Sequence, residues 1–100
     1  METDKPLEAD QAFRQKVLET FFQDGRLKVM PVKRKKRLVV LDEIVERFAY
    51  DRVYSEKEVN EIITKIFDDY CTVRRELVDE RMMGRDQSGY WRVRSERAAN

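Results

Sequence analysis

Five consecutive basic residues form the strongest chemical signal in the sequence. Residues 33–37 are all Lys or Arg, and the stretch 26–37 around them holds seven bases and no acid. The flanking stretches 1–25 and 38–70 carry net charges of −3 and −5, so positive charge is concentrated here although the whole chain carries only +1. Such a concentration of cations is typical of a surface that binds nucleic-acid phosphates. The alternative is that the segment is the solvated start of a helix and only keeps the surface charged. The candidate phosphate contacts of this basic segment are Lys33, Arg34, Lys35, Lys36 and Arg37.

Three further arginines lie near the C-terminus, within a predicted β-hairpin. Arg85, Arg92 and Arg94 could reach phosphates or a minor groove from such a hairpin. The alternative is the ordinary exposure of charged side chains on short strands. Tyr90 and Trp91 lie between these arginines, and we expect them to pack the hairpin onto the helices rather than to stack on bases.

The composition excludes several kinds of catalytic and metal site. The chain has no histidine, which excludes histidine-based zinc sites and general bases, and its single cysteine, Cys71, excludes an internal disulfide. We expect Cys71 to be a small core residue; the alternative is a redox sensor, since a thiolate is favoured at a helix start. Asp68 and Asp69 are interpreted as helix caps rather than metal ligands. Since no glycine-rich phosphate loop or nucleophile elbow is present, we expect no enzyme, no cofactor and no metal.

The first half of the chain predicts two helices with a strand between them. Apolar spacing predicts a helix over residues 8–22, and Asp24-Gly25 is typical of a helix stop. Residues 26–30 alternate between polar and apolar, which predicts a half-buried strand limited by Pro31. A second helix is predicted over residues 38–48. The basic segment would stand at the start of that helix, where positive charge opposes the helix dipole.

The second half predicts two more helices and a hairpin. Residues 49–54 are typical of a turn and a two-residue strand. Ser55 and Glu58 form a capping-box pattern that begins a third helix. An aspartate caps a fourth helix over residues 70–82, and Gly84 is expected to end this helix region. The hairpin is predicted to consist of strands 82–85 and 90–94, joined by a turn at 86–89.

The predicted outward face of the fourth helix argues against simple reading of a major groove. It holds one base and three acids, and these acids would repel phosphates. Arg75 and Asp79 are four residues apart and are expected to pair, while Arg74 is expected to pair with a carboxylate such as Asp69. The face comprises Asp68, Thr72, Arg75, Glu76 and Asp79.

The order of these elements predicts an α+β, winged-helix-like fold. A helix-turn-helix followed by a C-terminal β-hairpin wing is preceded here by an additional helix and strand. The alternative is a plain helical bundle with a C-terminal hairpin. We expect a single domain over residues 8–94, with flexible termini at residues 1–7 and 95–100.

Five short motifs, in order, resemble a small prokaryotic family known as domain of unknown function twenty-eighty-seven. The resemblance covers about residues 18–93. Members occur alone or fused to helix-turn-helix regulators, so the resemblance implies a link to transcription, but it supplies no catalytic or ligand residues. The motifs are Asp24-Gly25-Arg26-Leu27, Pro31 with residues 33–37, residues 54–61, Asp68-Asp69-Tyr70 with residues 72–78, and Tyr90-Trp91-Arg92.

Two functions from different classes follow from these patterns. The first is a transcription-associated DNA-binding or accessory protein that contacts double-stranded DNA through the basic segment and the hairpin. The alternative is a non-enzymatic interaction or dimerisation module without DNA binding, which would bind a second copy or a regulator protein. That module would use strand 27–30 and the apolar side chains of the first helix. No apolar run is long enough for a membrane span and no signal-peptide core is evident, so we expect a cytoplasmic protein. The proposed apolar anchors are Phe13, Val17, Phe21 and Phe22.

Overall fold

The fold is α+β, with four helices and two small antiparallel sheets in the part of the chain that the structure describes. The structure is a computed structural model that describes the backbone of residues 4–94 and the side chains of residues 11–94. The termini predicted to be flexible therefore lie outside the described residues at positions 1–3 and 95–100, whereas residues 4–7 belong to the first helix. The chain forms two compact units, Met1–Val40 and Leu41–Asn100.

A long helix and a tight hairpin make up most of the N-terminal unit. Helix α1 spans Asp4–Phe21, and strands β1 (Phe22–Gln23) and β2 (Arg26–Leu27) pair antiparallel directly after it. The two loop residues, Asp24 and Gly25, both have positive φ (55° and 81°), as a type I′ hairpin turn requires. The Asp-Gly pair thus turns a hairpin instead of only stopping a helix.

The predicted strand over residues 26–30 is shorter in the structure. Strand β2 ends at Leu27, which is buried, while Lys28 and Val29 lie in an exposed bend. A strand extends only as far as its partner, and β1 has only two residues because α1 ends at Phe21, directly before it. The Lys28 N–H instead donates to the Phe21 carbonyl at 2.8 Å, at the end of the helix.

Helix α2 spans Arg34–Val45, so it begins four residues before the predicted start at residue 38 and ends three residues before residue 48. Its first turn is already formed at the Arg37 N–H, which donates to the Lys33 carbonyl at 2.9 Å. Lys and Arg are good helix formers, but the periodicity of apolar residues cannot identify a first helical turn that contains only charged residues. Residues 34–37 of the basic segment are therefore the first turn of α2, and Lys33 directly precedes it.

The C-terminal unit contains the end of α2, a capped helix pair and a three-stranded sheet. Strand β3 (Val53–Tyr54) precedes α3 (Glu56–Thr64) and α4 (Tyr70–Asp79), and strands β4 (Met83–Asp86) and β5 (Gly89–Arg92) form the C-terminal hairpin. The strand order is β3-β5-β4, with both neighbouring pairs antiparallel. The short strand before α3 thus pairs with the second hairpin strand.

Local capping fixes the start of each helix of the pair. Ser55 Oγ accepts from the Glu58 N–H at 3.1 Å, and the Glu58 carboxylate accepts from the Ser55 N–H at 2.9 Å, which confirms the capping box. Asp69 caps α4 by accepting from the Thr72 N–H at 3.3 Å. These side chains satisfy amide groups that a helix N-terminus leaves without partners.

The position of each residue around the axis of α4 determines whether its side chain is buried or exposed. Val73 and Leu77 are buried, as predicted, and Met82 and Met83 are buried after the helix. The expectation that Cys71 is a core residue is wrong, because its side chain is exposed. Cys71 precedes Val73 by two residues, which is about 200° around a helix, so it lies on the opposite side.

The C-terminal hairpin packs through its aromatic residues. Tyr90 is buried, and Trp91 lies opposite Gly84, where the indole ring occupies the space that a Cβ would need. Tyr90 thus has the packing role expected of it, whereas Trp91 packs within the hairpin against Gly84. Within the described residues, no helix combines the length and the apolar character needed to cross a membrane.

Candidate nucleic-acid interface

The basic segment divides into side chains that face solvent and side chains held by their own unit. Lys36 and Arg37 are half-buried, with Lys36 Nζ 6.0 Å from the Phe21 ring centroid and Arg37 Nη1 donating to the Val32 carbonyl at 3.1 Å. The outward-facing cations are Lys33, Arg34 and Lys35, all exposed.

Lys35 combines exposure with an aromatic support. Its Nζ lies 4.8 Å from the centroid of the Phe13 ring in α1, a cation–π distance. Such a contact holds the lysine stem against an apolar surface and leaves the ammonium group in contact with water. A positioned cation loses less side-chain entropy when it meets a phosphate.

The first turn of α2 carries no acidic residue to offset these charges. A helix N-terminus has a partial positive charge from its amide groups, so cations in the first turn oppose the dipole. An anion at this end would meet both the helix dipole and the exposed side chains favourably. The local electrostatics therefore favour a bound anion over the isolated protein.

Two of the three hairpin arginines are engaged by the loop between α2 and β3. Arg92 is half-buried and its Nη1 donates to the Phe48 carbonyl at 3.1 Å. Arg94 pairs with Asp51, with Nη2 and Oδ2 2.9 Å apart. The two guanidinium carbons lie 4.0 and 4.3 Å from the centroid of the Tyr50 ring. These contacts hold both guanidinium groups beside the loop, and the Arg94–Asp51 pair itself is largely exposed.

Arg85 contacts an aromatic ring of its own hairpin. It is exposed, as Arg94 also is, with its guanidinium carbon 5.6 Å from the centroid of the Tyr90 ring. It also lines a cleft of about 210 Å³ between α4 and the hairpin. The residues that line this cleft are Arg74, Arg75, Val78, Asp79, Arg85 and Tyr90.

Arg74 is held in the cleft wall by neighbours on α3. Its side chain is 19% exposed, Nη1 donates to Asn60 Oδ1, and the same nitrogen lies 3.8 Å from a Glu56 carboxylate oxygen. Tyr90 donates its hydroxyl to the other oxygen of that carboxylate at 3.4 Å. The expectation that Arg74 pairs with a carboxylate is confirmed, but the partner comes from α3.

The outward face of α4 is less acidic than predicted. Glu76 and Thr72 are half-buried, so the exposed positions within the helix are Cys71, Arg75 and Asp79. The described residues show no ion pair between Arg75 and Asp79, although the two are four residues apart. Arg75 and Arg74 were missed as candidate binding residues, since nothing in their local sequence links them to Arg85. Only a hairpin folded back beside α4 brings the three together.

The turn of the hairpin contains an ionised carboxylate. Asp86 Oδ1 accepts from the Ser88 hydroxyl at 2.6 Å and from the Ser88 N–H at 2.8 Å. The Ser88 hydroxyl, followed by the Ser88 and Gly89 backbone amides, holds the pKa of Asp86 below its usual value, against a small opposing effect of desolvation. Asp86 thus serves as a turn-forming residue beside Arg85.

No group of three or more acidic, cysteine or histidine side chains suited to holding a metal ion occurs within residues 11–94. The chain shows no significant similarity to a curated protein or to a solved structure. A family model for an uncharacterized protein conserved in bacteria, DUF2087, matches residues 26–92. This match covers β2, α2 and all elements of the C-terminal unit. The chain therefore belongs to the bacterial DUF2087 family, a family of unknown function.

Proposed function

We propose that the protein is a non-enzymatic, transcription-associated DNA-binding protein that acts in the bacterial cytoplasm and contacts the phosphates of duplex DNA. The observation that carries this proposal is the start of α2, where three adjacent exposed cations stand at a helix N-terminus whose first turn has no acidic residue. Lys33 directly precedes the helix, and Arg34 and Lys35 lie in its first turn. Phosphate contacts supply most of the affinity of sequence-independent DNA binding.

The order of the helices and strands supports the same function. A helix, a short strand, two helices and a hairpin follow one another, and the short strand pairs with the second hairpin strand in the order β3-β5-β4. We interpret this arrangement as a winged helix, with β4 and β5 as the wing. Proteins with helix-turn-helix architecture use their last helix and adjoining segments at DNA grooves.

The proposed phosphate contacts are fewer than the eight basic residues that the sequence suggests as candidates. Arg92 and Arg94 contact the loop before β3, while Lys36 and Arg37 are half-buried in the N-terminal unit. We retain the remaining exposed cations, which are Lys33, Arg34, Lys35 and Arg85, as the proposed phosphate contacts.

Fluorescence anisotropy of a labelled, mixed-sequence duplex tests the proposal. The variant Lys33→Gln/Arg34→Gln/Lys35→Gln removes three positive charges from the proposed surface. A matched control, Lys16→Gln/Arg47→Gln/Lys57→Gln, removes three exposed positive charges elsewhere. At low salt we expect the first variant to lose at least about tenfold more affinity than the control, because one lost contact of about 1 kcal/mol is already worth about fivefold. Equal losses in the two variants would contradict the proposed location.

The second candidate function is an interaction module, and exposed apolar side chains favour it. Val32 is 89% exposed and Val29 is 55% exposed in the segment after β2. By contrast, the proposed anchor Val17 is buried, and Phe13, Phe21 and Phe22 are half-buried. Light scattering distinguishes the candidates: a stable dimer without DNA affinity at physiological salt would favour the interaction module.

A further inference from the structure

We propose that the cleft between α4 and the β4–β5 hairpin binds a phosphate group through Arg74, Arg75 and Arg85. Guanidinium groups match the geometry of phosphate, because their planar set of N–H donors can make paired hydrogen bonds to phosphate oxygens. The cleft belongs entirely to the C-terminal unit. The proposal does not depend on whether the protein binds DNA.

The charge of the cleft wall is the first argument. Three arginines and one aspartate line a space of about 210 Å³. Like charges gathered around one small space repel each other; Glu56 pairs with Arg74 and Asp79 offsets a second charge, so a net positive charge remains. A bound anion would relieve this repulsion. The size suits a small charged group, since pockets for drug-sized molecules begin at about 300 Å³.

The positioning of the cleft side chains is the second argument. Arg74 is fixed by Asn60 and Glu56, and Tyr90 is tied to the same Glu56 carboxylate. Arg85 lies over the Tyr90 ring. The wall is thus built by contacts that reach from α3 through α4 to the hairpin, and side chains held in this way bind with a smaller entropic cost.

Two of the arginines remain open to a ligand. Arg75 and Arg85 are both exposed, and no ion pair is seen for either of them among residues 11–94. Arg74, being 19% exposed, forms the inner wall. A phosphate group in the cleft would therefore meet one positioned guanidinium and two that can close on it. It could belong to a DNA backbone or to a free phosphorylated molecule.

Inorganic phosphate, titrated into the full-length protein at constant pH and ionic strength, tests the proposal by NMR. We expect saturable shifts of the backbone amide signals around Arg75 and Arg85, with sodium chloride at equal ionic strength giving none. The variant Arg75→Gln/Arg85→Gln should bind phosphate at least about tenfold more weakly. The control Arg47→Gln/Lys57→Gln, which removes the same charge from other exposed positions, should bind like the wild type.

A gain-of-affinity variant keeps the test decisive if the double variant should fold poorly. Asp79→Asn removes the one negative charge of the cleft wall, and we expect it to tighten phosphate binding about fivefold. Shifts that do not saturate, or equal phosphate affinity in the wild type, Arg75→Gln/Arg85→Gln and Asp79→Asn, would overturn the proposal.

A parallel NMR titration with duplex DNA identifies the source of the phosphate group. It also distinguishes the cleft proposal from the proposed function. Duplex DNA that shifts the same signals and competes with inorganic phosphate identifies the DNA backbone as the ligand. Phosphate binding in a protein that does not bind DNA supports the cleft, identifies a free phosphorylated molecule as its ligand and contradicts the proposed function. DNA binding without any saturable response to phosphate overturns the cleft proposal alone.

Discussion

At the residue scale, arginines that look alike in the sequence have different roles. Arg92 is fixed to a carbonyl 44 positions away and Arg94 to a carboxylate 43 positions away, whereas Arg85 lies in the wall of a cleft. Sequence patterns identify which residues are charged and which helix or strand contains them. They do not reveal which side chains from distant segments lie beside a given residue in the fold. For this reason the sequence did not identify Arg74 and Arg75 as candidate binding residues.

Replacing Arg92 tests its structural role. We expect Arg92→Gln to lower the free energy of unfolding by about 1–3 kcal/mol, because it removes a charge-assisted hydrogen bond to the Phe48 carbonyl and a cation–π contact with Tyr50. Arg85→Gln should change the same quantity by less than about 0.5 kcal/mol. Urea denaturation measures both variants. Equal stability in the two would show that Arg92 is not a structural residue.

The Asp86 carboxylate gives a prediction about pH. Ser88 donates to it and lowers its pKa, so the folded protein protonates Asp86 at a lower pH than the unfolded chain does. Any stability from this turn is present above the unfolded pKa and is lost as pH falls through the folded pKa. We expect Ser88→Ala to raise the pKa of Asp86 towards its usual value, measured by NMR titration. An unchanged pKa would contradict the assigned cause.

At the element scale, the end of α4 is set by backbone hydrogen bonds rather than by the predicted glycine. The Met82 N–H donates to the Leu77 carbonyl at 2.9 Å and the Arg81 N–H to the Val78 carbonyl at 3.0 Å, which is a Schellman motif. Arg81 has a φ of 63°, the left-handed conformation usually given to glycine. The sequence therefore indicated Gly84 as the stop and a helix reaching Met82, since no glycine marks the true end at Asp79.

The strained position at Arg81 predicts a stabilising substitution. We expect Arg81→Gly to raise the free energy of unfolding by about 0.5–1 kcal/mol, because glycine has no Cβ to oppose a positive φ. Arg81→Ala is the matched control, as it removes the charge but keeps the Cβ. Thermal or urea unfolding of the two variants measures the difference. A glycine variant no more stable than the alanine variant would argue against backbone strain here.

The hairpin depends on close contact between two neighbouring strands. A Cβ at Gly84 would lie 2.5–2.6 Å from three atoms of the Trp91 indole. We therefore expect Gly84→Ala to cost about 1–3 kcal/mol of stability and to displace the ring. Trp91 fluorescence during denaturation reports both effects, since it is the single tryptophan. An alanine variant with wild-type stability and emission would contradict the packing described for this pair.

At the scale of the whole molecule, much of the order of helices and strands could be predicted from the sequence, as could the C-terminal hairpin. The pairing of strands that lie far apart in the chain could not. The capping box at Ser55 and the aspartate cap of α4 mark their helices through local rules that any chain obeys. The pairing of β3 with β5 joins Tyr54 to Tyr90, and no local pattern encodes such a distant contact. The first turn of α2 was missed because its residues are all charged.

Charge distribution is also a property of the whole chain. A net charge of +1 gives no general attraction to DNA, so any affinity must come from local concentrations of cations. The start of α2, with the residue directly before it, supplies three exposed cations, and the hairpin supplies Arg85. Phosphate contacts of this kind release counterions, and so binding weakens as salt rises, with a slope set by the number of contacts.

The salt dependence of DNA binding tests the central claim most directly. Anisotropy of a labelled duplex is measured from low to physiological salt with the wild type and with Lys33→Gln/Arg34→Gln/Lys35→Gln. If each of the four proposed cations contacts one phosphate, the slope of log K against log salt should be about −3.6 in the wild type and about −0.9 in the variant. No binding at low salt, or the same slope in both proteins, would contradict the proposed function.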